Sequence, residues 1–309
     1  MKVFVTGVNG QLGHDVINEL NARGEETVAS DVTDAYSGIA DNSAVTKAPY
    51  EKLDITDADA VSTLIKNISP DVIVHCAAWT AVDMAEEDDL SEKVRSVNEG
   101  GTKNLALAAK EAGAKIIYLS TDYVFDGKGE TPWNPDSTDY APLNFYGKTK
   151  LLGEQAIRET LDEHFIVRIS WVYGLNGKNF VKTMLSVGKN HDEVRVVNDQ
   201  IGLPTYTKDL SVLLCDMAKT DKYGTYHACN EGDFISWYDF TVEIYRQAGM
   251  TTKVTPVSTE EYGLSKAARP SNSRLDRSKL KANGFNLLPD WKDALSRYFE
   301  ELKENGEEV

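Results

Sequence analysis

Apolar and polar positions alternate from the first residues onward. Lys2–Thr6 is a short apolar run that ends at Gly7, and Gln11–Ala22 follows with Leu12, Val16, Ile17 and Leu20 spaced to share one helical face. The pattern predicts a strand, a turn and a helix. Thr27–Ser30 reads as a second short strand closing at Asp31, Asp57–Asn67 as a helix, and Asp71–Cys76 as an unbroken apolar run of the kind that forms a strand covered on both faces. Ser91–Ala112 predicts one long helix with Val94, Val97, Leu105 and Ala108 inward, and Lys115–Leu119 another buried strand. Tyr146–Leu161 is a helix and Phe165–Ile169 a strand.

Strands that alternate with helices at this spacing specify an α/β fold, a doubly wound parallel sheet with right-handed crossovers. Beyond about Trp171 the rhythm breaks into shorter pieces: Phe180–Val187, a turn at Gly202-Leu203-Pro204, and helices near Leu210–Ala218 and Tyr238–Ala248. Residues 1–170 therefore read as the sheet domain and 171–309 mainly as a smaller C-terminal substrate lobe, with segments free to return to the sheet. Asp290–Leu302 is an amphipathic helix, and the final ENGEEV is expected to fray. Asp34–Tyr50 is polar and reads as a mobile loop.

Composition narrows the class. Hydrophobic residues make up 41% and charged residues 27%, with no long apolar window, which fits a globular chain and excludes disorder and membrane spans. MKVFVTG lacks the layout of a secretory signal, so a cytoplasmic protein is expected. A net charge of −16 argues against nucleic acid or an anionic membrane as partner, though not against an anionic small molecule held by backbone N–H groups. Cys76, Cys215 and Cys229 are odd in number and widely spaced, so buried thiols are expected, with neither disulfides nor a metal.

The candidate chemistry starts at Gly7-Val8-Asn9-Gly10-Gln11-Leu12-Gly13, a GxxGxxG turn between a strand and a helix, where a dinucleotide fingerprint belongs. The first glycine allows the turn, the next lets backbone approach a pyrophosphate, and the last lets helix pack on strand. The sheet is thus of the Rossmann type and the cofactor NADPH or NADH. Asp31, closing the second strand, is placed for an adenosine ribose and leans towards NADH. Asp54 and the pair Ala77 and Ala78 would lie along the adenine and ribose, or serve as an N-cap and as packing.

Tyr146 and Lys150 stand four residues apart, on one helical face, and a neighbouring cation lowers a phenol's pKa towards the working range. Among 14 Tyr the spacing alone carries little, and Tyr262 and Lys266 repeat it without such surroundings. Position raises the first pair: it follows Leu119-Ser120-Thr121-Asp122-Tyr123 at the end of a buried strand, where Thr121 can hydrogen-bond the same carbonyl oxygen.

GVNGQLG, CAAWTAVDMAE, VNEGGTKNLA, STDYVFDG and YGKTKLLGE resemble the extended short-chain dehydrogenases that act on nucleotide sugars. STDYVFDG, RISWVYG, VVNDQIGLPT and ARPSNSRL, in this order, resemble the dTDP-4-dehydrorhamnose reductase family over nearly the whole chain. The resemblance implies reduction of the 4-keto group of a dTDP-6-deoxy sugar, with Tyr146 as proton donor, Lys150 holding the nicotinamide ribose and Thr121 orienting the carbonyl. It implies that Asp122, Tyr123 and Trp171 meet the sugar and that Arg269 meets the diphosphate, or else forms a surface salt bridge. Asn98 resembles a helix asparagine that supports the lysine, or is a helix-bending amide. A dehydratase would need a second carboxylate after Asp122, where Tyr123 stands. Asp15 occupies a place where a longer Glu would suit a metal-bridged dimer, so no metal is expected, and a monomer or homodimer remains open. The competing readings are a non-catalytic NADP-binding regulatory subunit, similar to the β subunit of methionine adenosyltransferase, and a reductase of another nucleotide sugar.

Overall fold

In a computed structural model describing residues 1–307, six predicted or new strands run in chain order: β1 (Lys2–Thr6), β2 (Glu26–Asp31), β3 (Tyr50–Lys52), β4 (Val72–His75), β5 (Lys115–Thr121) and β6 (His164–Ile169). The main helices are α1 (Gln11–Ala22), α2 (Ala58–Ile68), α3 (Ser91–Arg95), α4 (Thr102–Ala112), α5 (Phe145–Thr160), α6 (Phe180–Asn190), α7 (Thr207–Ala218) and α8 (Trp237–Ala248). With the strand Gly224–His227, the six form one seven-stranded sheet in the order Gly224–His227, β6, β5, β4, β1, β2, β3, every pairing parallel. The α/β doubly wound Rossmann sheet is as the periodicity predicts.

The strand pattern explains the two layers. Val3, Val5, Val72, Val74, Ile117, Leu119, Phe165 and Val167 pack with α1 and α7 on one face. The intervening Phe4, Ile73, Ile116, Tyr118 and Ile166 pack with α2, α4 and α5 on the other. A slip of one residue in any strand would exchange the two sets, so burial on both faces pins the register. That register sets Thr6 beside Ser30 and His75, and Thr121 beside Ile169, so the strands end together along one edge.

A third apolar cluster joins Tyr173, Leu175, Val181, Leu203, Tyr206, Phe240 and Ile244 to Trp291, Leu295, Tyr298 and Leu302 of the C-terminal helix Trp291–Glu304. Two segments after Trp171 lie instead with the sheet: α7 packs on α1 in the first cluster, and Gly224–His227 pairs with β6. The tail ENGEEV runs past the described residues, and its Glu308 and Val309 lie outside them. Among the described residues no helix is long and apolar enough to cross a membrane.

Two segments differ from their predicted form. Ser91–Ala112 is interrupted by a π-helical turn at Ser96–Gly101, where Asn98 turns its amide to the Trp79 backbone (2.8 and 3.2 Å) and to Thr149 Oγ1 (3.0 Å). Asn98 is thus a buried amide at the bend of the helix. The segment after Asp34 is not a free loop. The His14 ring pairs with Tyr36 OH at 2.8 Å, Asn176 accepts from Ile39 N at 3.1 Å, Asn18 accepts from Val45 N at 2.9 Å, and the Val45 side chain is buried against α1. Low hydrophobicity hid these polar anchors because each one lies far away in sequence.

Candidate active site

The sheet order reverses between β1 and β4, and a ligand crevice opens beyond the strand ends at such a point. Gly7 leaves β1 with a φ of 74°, and a Cβ added to it would stand 2.6 Å from Ala77 N across that crevice. A Cβ on Gly13 would fall 2.3 Å from Gly7 O, so the missing side chain is what lets α1 meet β1. A Cβ on Gly10 would meet only Gly7 O, at 3.2 Å, a tight but single contact. No side chain caps the start of α1, which leaves its first N–H groups for an anion.

A cleft of about 1300 Å³ extends from this turn over the strand ends. Gly7, Gly10, Gln11, Leu12, Gly13, Asp31, Asp54, Ala77 and Ala78 line one part of it; Thr121, Asp122, Tyr123, Tyr146, Lys150 and Trp171 line the other. Two expected contacts stand off the wall. Asn9 braces the turn, taking Ser37 N on its Oδ1 (2.8 Å) and donating to Thr33 Oγ1 (2.8 Å), because the backbone of the phosphate turn faces the cleft and this side chain faces the following loop. Arg269 forms a two-pronged pair with Asp83 at 3.1 and 2.7 Å, the ion pair that was the alternative to a diphosphate contact. Asp31 receives Asn9 N (2.9 Å) and Val32 N (2.8 Å), which fixes its carboxylate beside the turn. Asp54 accepts from Thr56, and Asp57 is the α2 N-cap.

Thr121 ends β5; its hydroxyl donates to Asp122 Oδ1 at 3.0 Å and accepts from Tyr123 N at 3.2 Å. Helix α5 starts just across from it. Asn144 caps α5 by accepting from Gly147 N (2.8 Å), Glu86 accepts from Phe145 N (2.7 Å), and Gly147 packs so closely that a Cβ would meet Tyr123 O at 2.3 Å. Tyr146 thereby meets Tyr123 edge to face, ring centroids 5.8 Å apart.

Burial dominates the electrostatics of Tyr146 and Lys150 alike. Burial first, then the charge of Asp122, pushes the Tyr146 phenol well above its ordinary value, with the Thr121 hydroxyl pulling the other way. Burial likewise lowers Lys150 to about 7, opposed by the charge of Glu154. Desolvation disfavours the charged form of either group. Asp122, 2% exposed, is raised to about 6 by burial.

Sequence reasoning missed three features around this site. Glu154 and Arg168, both fully buried, pair at 2.8 and 2.7 Å, and Glu154 also receives Ser120 Oγ at 2.5 Å and Arg158 at 2.8 Å. Trp237, at the first turn of α8, stacks on Trp171 and lines the cleft. Lys93 and Lys178 add two cations to the wall. Glu154 falls one turn after Lys150 and could have been flagged by that spacing; nothing local marks Trp237, Lys93 or Lys178.

Comparison with known proteins agrees with this geometry. The family model described as the RmlD substrate binding domain matches residues 1–304. The chain is 38% identical to the dTDP-4-dehydrorhamnose reductase of Escherichia coli K12, over 98% of each chain. It is also 38% identical to the spore coat polysaccharide biosynthesis protein SpsK of Bacillus subtilis, over 97% of each. The crystal structure of dTDP-4-dehydrorhamnose reductase from Bacillus anthracis in complex with NADP is 40% identical and superposes with a TM-score of 0.87, covering 97% of this chain and 99% of that one. With its sheet, its phosphate turn and its full-length similarity in agreement, the chain belongs to the dTDP-4-dehydrorhamnose reductase family, the family of the RmlD substrate binding domain.

Proposed function

We propose that this protein reduces the 4-keto group of dTDP-4-dehydro-L-rhamnose to dTDP-L-rhamnose, using NADPH or NADH. One observation carries the reading: Thr121, Tyr146 and Lys150 line the same cleft as the glycine turn at the reversal of strand order. The glycines fit the cofactor, since Gly7 turns the chain against the Ala77 backbone, Gly10 carries no side chain over the turn, and the uncapped α1 terminus suits a pyrophosphate. Asp31 takes the adenosine ribose, and Asp54, Ala77 and Ala78 lie along the adenosine.

When bound, the nicotinamide supplies the hydride to carbon 4 of the sugar. The chain supplies the rest. Tyr146 gives its proton to the carbonyl oxygen as charge develops there; a phenol held neutral by burial is ready as an acid. Thr121 donates a hydrogen bond to the same oxygen, Lys150 holds the nicotinamide ribose, and Asp122, Tyr123 and Trp171 hold the sugar. Arg269 exchanges its pairing with Asp83 for the substrate diphosphate, a planar fork suited to either oxyanion. Residues 1–170, joined by 207–228, form the cofactor half, and the remainder of 171–309 forms the substrate lobe. On this reading the protein works in the cytoplasm as a monomer or homodimer, without nucleic acid or membrane.

The test follows nicotinamide absorbance with purified protein, either cofactor and enzymatically made dTDP-4-dehydrorhamnose. The wild type oxidises the cofactor, and Tyr146→Phe slows kcat by about 10²-fold or more. No turnover, despite demonstrated cofactor binding, overturns the assignment and favours a regulatory subunit.

A further inference from the structure

Lys150 is buried, 3% exposed, among groups from three elements. Its Nζ lies 4.2 Å from the ring centroid of Tyr118 on β5; Cys76 and His75 approach from the end of β4; Tyr146 and Glu154 share its helix. Burial holds most of these groups neutral. It raises the Cys76 thiol to about 12, lowers His75 to about 3 and lifts the phenols of Tyr118 and Tyr146. Glu154 behaves differently: Arg168, Arg158 and Ser120 together outweigh its burial and hold its carboxyl below the ordinary carboxylate range. Of the groups that bear on Lys150, Glu154 is therefore the one anion at neutral pH.

The same carboxylate is a mechanical junction. Ser120, which it binds, immediately precedes Thr121; Arg168, which it clamps with two bonds, lies three residues before Trp171 on the strand that leads there; and Lys150 sits one helical turn before it. Arg168 is itself fixed by Tyr140 OH at 3.0 Å and Pro135 O at 3.3 Å and lies over the Phe125 ring at 5.0 Å. An anion so firmly held costs little reorganisation when the charge beside it changes.

We infer that Glu154 is a positioning residue for the reductase reaction: its buried carboxylate, locked by Arg168 and bound by Ser120, fixes the segments that carry Thr121 and Trp171 and sets a negative charge one helical turn from Lys150. The inference rests on the proposed role of Lys150, but its first test does not depend on turnover. Competitive acetylation, read by peptide mass spectrometry across a pH series, gives the ionisation midpoint of Lys150 in the protein alone.

The wild-type midpoint is expected near 7. Glu154→Gln keeps the shape and removes the charge, and should lower the midpoint by about one pH unit, a typical effect of a close opposite charge. In turnover, the alkaline limb of kcat should move to lower pH by the same amount. Glu154→Gln leaves Arg168 buried without its counter-charge, so that variant can fail to fold. Arg158→Gln is the milder route: its side chain is 30% exposed, and its removal strips a cation from Glu154. That change should raise the Lys150 midpoint by roughly 0.3–1 unit. A midpoint that stays put in either folded variant overturns the inference. A wild type that titrates as expected but turns over no sugar overturns the proposed substrate and leaves the Glu154–Lys150 coupling standing.

Discussion

Trp237 lies flat on Trp171, with ring centroids 3.8 Å apart and planes 18° from parallel. Trp171 holds a φ of 50°, a left-handed conformation that costs a non-glycine residue about 1–3 kcal/mol. The stack returns about 0.5–1.5 kcal/mol of that. Gly202 closes the other contact, since a Cβ there would stand 3.1 Å from the Trp171 ring. Strain held at a cleft wall by packing from another element points to a wall whose shape matters.

Trp237→Ala should therefore free the Trp171 ring. We expect KM for the nucleotide sugar to rise about tenfold, equivalent to one lost aromatic contact, with KM for the cofactor little changed. Trp237→Phe should recover much of the loss. Steady-state kinetics with each substrate varied separately decides it, and equal shifts in both KM values would count against a sugar-side wall.

Gly10 and Gly13 should separate binding from folding. Gly13→Ala forces α1 off β1, because its Cβ would sit 2.3 Å from Gly7 O, and should lower stability by about 1–3 kcal/mol in denaturant titrations. Gly10 has a φ of −87° and its Cβ would press only on Gly7 O, at 3.2 Å, so Gly10→Ala should cost less stability than Gly13→Ala, about 1 kcal/mol or less, and weaken cofactor binding at least tenfold by standing over the turn. Calorimetric titration of cofactor with both variants reads the difference.

Asp31 is the residue proposed to meet the adenosine ribose. Asp31→Asn removes its charge and keeps an acceptor for Asn9 N, so the ratio of kcat/KM with NADPH to that with NADH should rise roughly threefold to tenfold. An unchanged ratio would mean that the carboxylate serves only the turn.

Asp122 makes stability depend on pH in an unusual direction. Its folded value, about 6, lies above the ordinary 3.8, so the folded protein holds this proton more tightly than the unfolded chain. The resulting contribution is fully present below about pH 4 and is lost as pH rises through about 6. Near pH 7 the buried charge costs on the order of 3 kcal/mol. Asp122→Asn should thus melt close to wild type at pH 4 and several degrees higher at pH 7.5, while losing turnover. A constant difference in Tm across that range would remove Asp122 as the cause.

How much of this was legible in the sequence follows from how local each feature is. Gly7, Gly10 and Gly13 fall within seven residues, and their neighbours settle both the strand before and the helix after. Tyr146 and Lys150 are paired by one helical turn. Gly224–His227 reads GTYH, without the apolar run that marks Val72–His75, and only its pairing with β6 makes it a sheet strand. The segment after Asp34 looked unanchored because His14, Asn18 and Asn176 hold it through single polar contacts from α1 and from beyond β6.

By itself the sequence determined the doubly wound parallel sheet, the glycine turn after its first strand and the residue types of the proposed catalytic set, because each is written in spacings of two, three or four residues along one or two elements. Only the tertiary structure decided the charges and the walls. Lys150 is driven towards neutrality by what buries it and opposed by a Glu154 that Arg168 holds from another strand; Arg269 is occupied by Asp83, 186 residues away; Trp171 is shaped by Trp237 and Gly202. Desolvation and stacking depend on which groups meet in space, and no periodicity along the chain encodes those meetings.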